Sequence, residues 1–423
     1  MSTGESCPKC SAATISKRAA EPWCPACEWN LDHFEKERRP EFGWRWVDRR
    51  LFRTAYWLTE RQYAELRDAP TPARAAMAAR IATVAVSVVL LALVAALFLT
   101  GLWLLTYDFF SPVNLIGALL VLIAVVLRPR LGRLSRLTRD AEQLDRSKAP
   151  ALFAVIDRVA AAAGTPVPDV VLLSAEFNAS TTTVGLRRRR VLTLGAQLWS
   201  VLDPQERIAL LGHELGHFVN GDIRRSLVTQ AAESTLGAVA YLLRPDRRRT
   251  RVDGLTGMIV ETVIDIVGGL LARFVGLLHL LLVWISRRDS QRAEYLADEL
   301  SAKVAGSAAA IRLSDVLLLH DAIDTVVRRE ARAGNSAPAW RTAAEQARAG
   351  LVTDVPAFRQ LSRRTEASLF ASHPPTGLRA GLIAARPAQP AAVVLTEPEQ
   401  ARMDEELAAH YERVRRELAV ANW

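Results

Sequence analysis

His213-Glu214-Leu215-Gly216-His217 places two imidazoles four positions apart, with a carboxylate directly after the first. On a helix, side chains at i and i+4 share a face, so both histidines can bind one metal ion while the glutamate reaches a water in the open position. The residues ahead of the motif announce that helix. Asp203 is a suitable N-cap, Pro204 suits the first turn, Glu206 completes a capping-box pattern, and Ile208, Ala209 and Leu211 supply apolar positions. A buried helix with two hydrogen-bonded histidines would read the same way. A third ligand from elsewhere in the chain is what distinguishes a catalytic metal centre from it.

The chain has 423 residues, of which 50% are hydrophobic and 23% charged, so greasy and charged regions are expected to be separate. Its net charge is +9. The arginines cluster beside apolar segments: Arg128, Arg130, Arg133, Arg136 and Arg139 follow one, and Arg247, Arg248, Arg249 and Arg251 precede another. That placement reads as membrane-surface charge in preference to a nucleic-acid interface. All 4 cysteines lie at Cys7, Cys10, Cys24 and Cys27, which argues against a secreted, disulfide-stapled protein. The first residues contain no apolar core of a signal peptide.

Cys7-Pro8-Lys9-Cys10 and Cys24-Pro25-Ala26-Cys27 are two matched knuckles, able to give four thiolates to a structural zinc. Residues 1–33 are therefore expected to form a zinc ribbon, either an adaptor for a protein partner or a metal-stapled cap. Residues 34–72 interleave Trp44, Trp46, Phe52, Tyr56 and Trp57 with arginines, which fits an interfacial juxtamembrane segment or packing onto the rest of the protein. Residues 81–106 carry no charge, and 109–127 form a second uncharged run of spanning length. Together, 81–127 read as a transmembrane hairpin. Its connection, Tyr107-Asp108, has no Lys or Arg, whereas Arg74 and Arg80 precede it and the arginine cluster follows. The positive-inside rule then places both ends, and everything attached to them, in the cytoplasm, with the lipid bilayer as a partner.

Beyond the hairpin, 149–163 predicts a helix ending at Gly164, and 169–174, 177–185 and 191–194 predict strands of a small sheet. An edge strand beside a metal centre can hold an extended peptide through main-chain hydrogen bonds. Residues 226–243 and 255–285 are apolar helical stretches; Glu261, Asp265 and Arg273 interrupt the second, so these helices are expected to be membrane-associated. A charged helix follows over 286–305, a flexible or lid-like segment over 331–349, and a polar amphipathic helix in the tail from residue 398.

Glu294, one turn ahead of Asp298, is the best candidate for the third ligand. The order of motifs is His213-Glu214-Leu215-Gly216-His217, Asn220-Gly221-Asp222, apolar helices, Ser286-Arg287-Arg288, Glu294-Tyr295-Leu296-Ala297-Asp298, then Ser372-His373-Pro374-Pro375-Thr376 with Arg379. With Asn178-Ala179 upstream, this order resembles the HtpX-like membrane zinc metallopeptidases, relatives of the CAAX prenyl endopeptidases. The resemblance covers residues 81–385. It implies a mainly α fold with a small β-sheet, a gluzincin-like domain over 140–385, and His213, His217 and Glu294 as ligands of a catalytic zinc. It further implies Glu214 as general base and hydrolysis of peptide bonds in membrane or misfolded proteins. Asp298 suits a hydrogen bond to a ligand imidazole, His373 and Arg379 a role as oxyanion donors, and Asn178 and Ala179 a place on the substrate strand. The ribbon, the aromatic segment and the helix within 386–423 fall outside the resemblance. Two other functions fit the residues: a non-proteolytic membrane scaffold, and a nucleic-acid-binding adaptor working through the ribbon.

Overall fold

The computed structural model describes residues 6–12, 23–24, 26–31, 45–68, 73–107, 111–127, 134–185, 187–219, 291–369 and 371–420. The expected helices at 226–243 and 255–285, with Asn220-Gly221-Asp222 and Ser286-Arg287-Arg288, lie outside them. The chain divides into two compact units, one from residues 1–71, 133–222 and 290–423, the other from 72–132 and 223–289. Its described residues are mostly helical with one small four-stranded sheet, as expected.

In the first unit, strands β1 (Ala141–Gln143), β2 (Val170–Ser174), β3 (Ala179–Val184) and β4 (Arg189–Gly195) lie in the order β1-β2-β4-β3. Only the β2–β4 pair is parallel. β2 is buried along its whole length because both faces are covered, which is why it reads as an uninterrupted apolar run. Val171, Leu173, Leu192 and Leu194 face the main core, while Val170, Leu172, Val184 and Val191 pack with Leu134 and Leu137 of the short helix α4 (Leu134–Leu137). Helix α5 (Pro150–Ala163) ends where Gly164 takes the left-handed conformation, φ 69°, that closes a helix without steric cost. Short helix α6 (Ala196–Val201) leads into α7 (Pro204–Val219), which carries the histidine motif.

The second half of this unit is helical throughout: α8 (291–305), α9 (Ser307–Leu318), α10 (His320–Arg332), α11 (Ala337–Leu351), α12 (Val355–Thr365), α13 (Thr376–Ala385), α14 (Glu397–Glu406) and α15 (Ala408–Val420). The expected lid at 331–349 is instead a packed helical pair. Ala337, Trp340 and Ala344 form one buried face of α11, Trp340 Nε1 donates to Asn335 O at 2.8 Å, and Gly334 (φ +86°) makes the turn. The polar residues that suggested mobility cover the opposite face. The expected tail helix is broken at Leu407, and Met403, Leu407, Tyr411, Val414 and Leu418 all enter the main core. Helix α1 (Arg45–Asp68) takes the packing role left open for the aromatic segment: Leu66 and Tyr63 contact Tyr295 and Leu382, and Arg363 forks onto Glu60 at 2.9 and 2.6 Å.

The second unit contains α2 (Ala73–Tyr107) and α3 (Pro112–Val126), an antiparallel hairpin. The stretch Ser87–Tyr107 is long and apolar enough to cross a membrane. α3 has 15 residues, about 22 Å at 1.5 Å per residue, shorter than a bilayer core of roughly 30 Å. Asn114 joins the two helices: its Oδ1 accepts from Ser111 N at 2.9 Å, while its amide donates to Leu104 O and Leu105 O at 3.2 and 3.1 Å. Those last carbonyls of α2 would otherwise lack partners. Gly101 and Gly117 face one another so closely that a Cβ on either would lie within 2.9 Å of the other's carbonyl oxygen.

Candidate metal centre

The start of α7 follows the expected pattern: Glu206 reaches back, Oε2 accepting from Asp203 N at 3.1 Å. Glu206 is also fully buried and paired with Arg348, so the cap residue doubles as a core ion pair. Ile208, Ala209, Leu211 and Leu215 are fully buried. Their packing fixes the rotation of α7 about its axis and hence the direction of the motif.

α8 crosses α7 at very short range. A Cβ added to Gly212 would be 3.1 Å from Ser301 Cα, and one added to Gly216 would be 3.1 Å from Ala297 Cα. Ser301 Oγ donates to Ala209 O at 2.8 Å across the same contact. The two glycines, one turn apart, let the backbones meet, and this approach delivers Glu294 to the histidines. His213 Nε2 lies 3.4 Å from Glu294 Oε2, and His217 Nε2 lies 3.5 Å from Glu294 Oε1. One donor atom from each of His213, His217 and Glu294 lies within 4.8 Å of the other two. Ligands about 2.05 Å from a tetrahedral zinc stand about 3.4 Å apart, so these separations fit a shared ion. An ion held by two imidazoles and one carboxylate would keep a fourth position open.

The surrounding groups prepare His213. Its Nδ1 is 2.9 Å from Asp298 Oδ1, which leaves Nε2 to face the centre. Arg379 forks onto the same Asp298 at 2.8 and 2.7 Å, and its Nη2 also lies 3.3 Å from His213 Nδ1. Thus Arg379, buried and committed to Asp298, stands behind His213 and fixes the acid that orients it. His373 approaches from the other side: Nδ1 is 2.7 Å from Glu294 Oε2 without the alignment of a hydrogen bond, and its side chain is 58% exposed. Of the two residues considered as oxyanion donors, His373 alone has an exposed side chain.

Burial and the charge of Arg379 oppose protonation of His213, but its hydrogen bonds to Asp298 and Glu294 prevail and push its pKa up to about 10. Burial takes His217 down to about 4. Burial opposes ionisation of Glu294, yet its contacts with His213 and His373 hold its carboxyl well below the usual range. Asp298, despite burial, is held at about 2 by Arg379. Burial raises Glu214, which brings its carboxylate closer to the basicity of a neutral-pH proton acceptor.

Asn178 and Ala179 stand outside this cluster, where the chain enters β3, an edge strand of the sheet. Asn178 O accepts from Gly195 N at 2.7 Å and its Oδ1 accepts from Ala179 N at 2.9 Å. Thr181, which sequence reading overlooked, ties β3 to the motif helix by donating from Oγ1 to Glu214 O at 3.2 Å. Its place in a run of β-prone small residues carried no sign of that bond. A second overlooked residue is Glu366, whose Oε2 accepts from Thr376 N at 2.7 Å and from Thr376 Oγ1 at 2.9 Å, closing the loop that bears His373.

The four cysteines form a separate cluster. Cys7 Sγ and Cys27 Sγ are 3.7 Å apart, Cys10 Sγ and Cys24 Sγ 3.5 Å, and the four donor atoms all lie within 4.8 Å of one another. Thiolates about 2.3 Å from a tetrahedral zinc are about 3.8 Å apart. The knuckles repeat one turn: Ser11 N donates to Cys7 O and Glu28 N to Cys24 O, with Ser11 and Glu28 both left-handed, φ 62° and 58°.

A family model, peptidase family M48, matches residues 146–386. A protease HtpX homolog of Thermococcus kodakarensis is 29% identical over 245 residues, 57% of this chain and 74% of the relative. Protease HtpX of Chromohalobacter salexigens is 29% identical, covering 45% and 63% of the two chains, and a protease HtpX homolog of Methanopyrus kandleri is 31% identical, covering 53% and 63%. No solved structure gives a significant match. The matched span runs from the edge of α5 to the end of α13 and so contains every residue of the histidine–carboxylate cluster; the chain belongs to the HtpX-like metallopeptidases of peptidase family M48.

Proposed function

We propose that this protein is a membrane-anchored zinc endopeptidase that hydrolyses peptide bonds of membrane or misfolded proteins on the cytoplasmic side. The observation that carries the reading is the convergence of His213, His217 and Glu294 beside Glu214, a buried carboxylate outside the donor cluster. His213, His217 and Glu294 would hold a zinc ion, which would supply the Lewis acidity for activating a water and polarising a peptide carbonyl at neutral pH. Glu214 accepts the proton of the attacking water and returns it to the leaving amine, a transfer favoured by its raised pKa. Asp298, fixed by Arg379, holds His213 in the tautomer that presents Nε2. His373 donates to the oxyanion of the tetrahedral intermediate. The edge of β3, beginning at Asn178 and Ala179, pairs with the extended substrate. Cys7, Cys10, Cys24 and Cys27 would hold a second, structural zinc.

The test is Glu214→Gln in detergent-solubilised protein. The variant retains the zinc content of the wild type, because all three ligands remain, and loses at least about a thousand-fold in kcat, within the range set by removal of an essential proton acceptor. Turnover within about ten-fold of wild type would exclude Glu214 as the base.

A further inference from the structure

The cysteine ribbon is the one strong motif that peptide hydrolysis leaves without a use, and its position against α12 suggests one. Trp23 and Leu31, both essentially without solvent exposure, form an apolar cluster with Ala357 and Leu361, two residues one turn apart on α12. Trp23 directly precedes Cys24, and Leu31 follows the second knuckle. Between them, Glu28 extends from its left-handed turn to α12, where Gln360 Nε2 donates to Oε1 at 3.4 Å and Arg364 Nη1 lies 3.9 Å from Oε2. The knuckle has too few residues to hold Trp23 and Leu31 in register by a core of its own, so metal binding by the cysteines fixes the docking face.

The same helix governs the loop that carries His373. α12 ends at Thr365, and Glu366 bonds both Thr376 N and Thr376 Oγ1 at the start of α13. Pro375 occupies the N-cap position of α13 without a side-chain cap, so the carboxylate at the end of α12 takes that place. Ser362 Oγ accepts from Gly377 N at 2.8 Å, and Gly377 sits so close to Arg359 O that no Cβ fits. Residues 366–369 and 371–376 thereby hang from the C-terminal turn of α12. Gln291 Nε2 donates to Ala371 O at 3.3 Å, holding its far side to α8, and the loop presents His373 Nδ1 2.7 Å from Glu294.

We infer that the ribbon is an intramolecular clamp: its metal site holds Trp23, Glu28 and Leu31 against α12, and α12 in turn sets the position of the His373 loop against the catalytic carboxylate. The ribbon is thus a positioning element of the peptidase, and the surface it recognises is its own chain's Ala357–Leu361 face in preference to a separate protein. The inference rests on the peptidase reading for its kinetic consequence alone; its structural content stands apart from it.

The experiment compares wild type with Trp23→Ala and Cys24→Ser/Cys27→Ser in the full chain. It uses zinc content, hydrogen exchange of residues 355–376, and kinetics on a short soluble peptide and on unfolded casein. Trp23→Ala keeps both metals, Cys24→Ser/Cys27→Ser loses the ribbon zinc and keeps the catalytic one, and both speed exchange across 366–376 several-fold. Both lower kcat for the short peptide about ten-fold with KM unchanged, since sub-ångström misplacement of a donor is enough for that loss. Glu28→Gly, which suits the left-handed turn and leaves the cysteines and Trp23 intact, gives the same changes at smaller size should Trp23→Ala fail to fold. Unchanged exchange in all folded variants overturns the clamp. So does unchanged short-peptide turnover with a raised KM for casein alone, the result expected of a substrate adaptor. A wild type that hydrolyses neither substrate would sink the peptidase reading, and exchange, measured with and without metal, would then decide the clamp by itself.

Discussion

In the proposed centre His213 would be two things, a neutral ligand to a metal and a hydrogen-bond donor to Asp298. In the metal-free protein its pKa near 10, against about 6.5 for a free histidine, keeps it protonated at neutral pH. A raised histidine adds stability that is fully present below the unfolded value and disappears as pH climbs through the folded one, so the metal-free protein should weaken between about pH 6.5 and 10. Metal uptake at pH 8.5 must then expel a proton from His213, whereas His217, at about 4, has none to give. Replacing Asp298 by Asn removes the main hydrogen-bonded carboxylate, and calorimetry in buffers of different ionisation enthalpy should show about one proton fewer released per zinc at pH 8.5. An unchanged count would mean that His213 is already neutral in the free protein. At this scale the grouping was legible: the i, i+4 histidines and Glu294, which the fold brings together, could be chosen from residue type and order alone. The posture of Arg379 was not, because its commitment to Asp298 depends on how α13 meets α8, and an arginine near an active-site motif suggests a substrate-facing role by default.

Gly212 and Gly216 show why the elements cross where they do. The Gly216→Ala substitution should raise helix propensity by up to about 1 kcal/mol, yet its Cβ would meet Ala297 Cα at 3.1 Å and Leu300 Cδ1 at 3.3 Å and push α8 back by tenths of an ångström. The expected result is a melting temperature of the metal-free protein close to wild type with zinc affinity about ten-fold weaker, the scale of a disturbed ligand support; a competition titration against a chelator reads it. Equal affinity would show that Glu294 reaches the histidines without the close crossing. Helix positions were largely readable from periodicity: α5 begins and ends near its expected limits, and α7 begins at Pro204 as expected. What closes them was less so. The N-cap residues of α5 and α13, Ala149 and Pro375, supply no side-chain cap, and the first N–H groups are taken by carboxylates from elsewhere: Glu406 accepts from Ala151 N at 2.8 Å and Leu152 N at 3.2 Å, and Glu366 serves α13. A cap borrowed across 255 positions has no local signature. The lid expected at 331–349 failed for a related reason: the tertiary partner of Trp340 and its neighbouring alanines lies in α6 and α15, out of reach of any window on the sequence.

For the molecule as a whole, the charge pattern around the hairpin makes a definite statement about sidedness. With lysine and arginine absent from the Tyr107-Asp108 connection and arginines flanking both ends, an Asp108→Cys variant in intact cells should react at position 108 with a membrane-impermeant thiol reagent, while the native cysteines at positions 7–27 stay protected until the membrane is opened. Labelling confined to the native cysteines would invert the topology. Composition revealed the division into apolar hairpin and charged body, and spacing revealed the cysteine cluster; the docking of Trp23 on α12 was hidden because it joins segments more than 300 positions apart. The contribution of α14 and α15 to the core has a temporal side. Glu406 completes the start of α5, and Met403, Tyr411 and Leu418 fill space against residues made far earlier. At about 5–20 residues per second, translation from Leu152 to Met403 takes roughly 10–50 seconds. His213, Glu214, His217 and Glu294 all emerge within that interval, so the ribosome delivers the whole candidate metal centre before the helices that complete its supporting core.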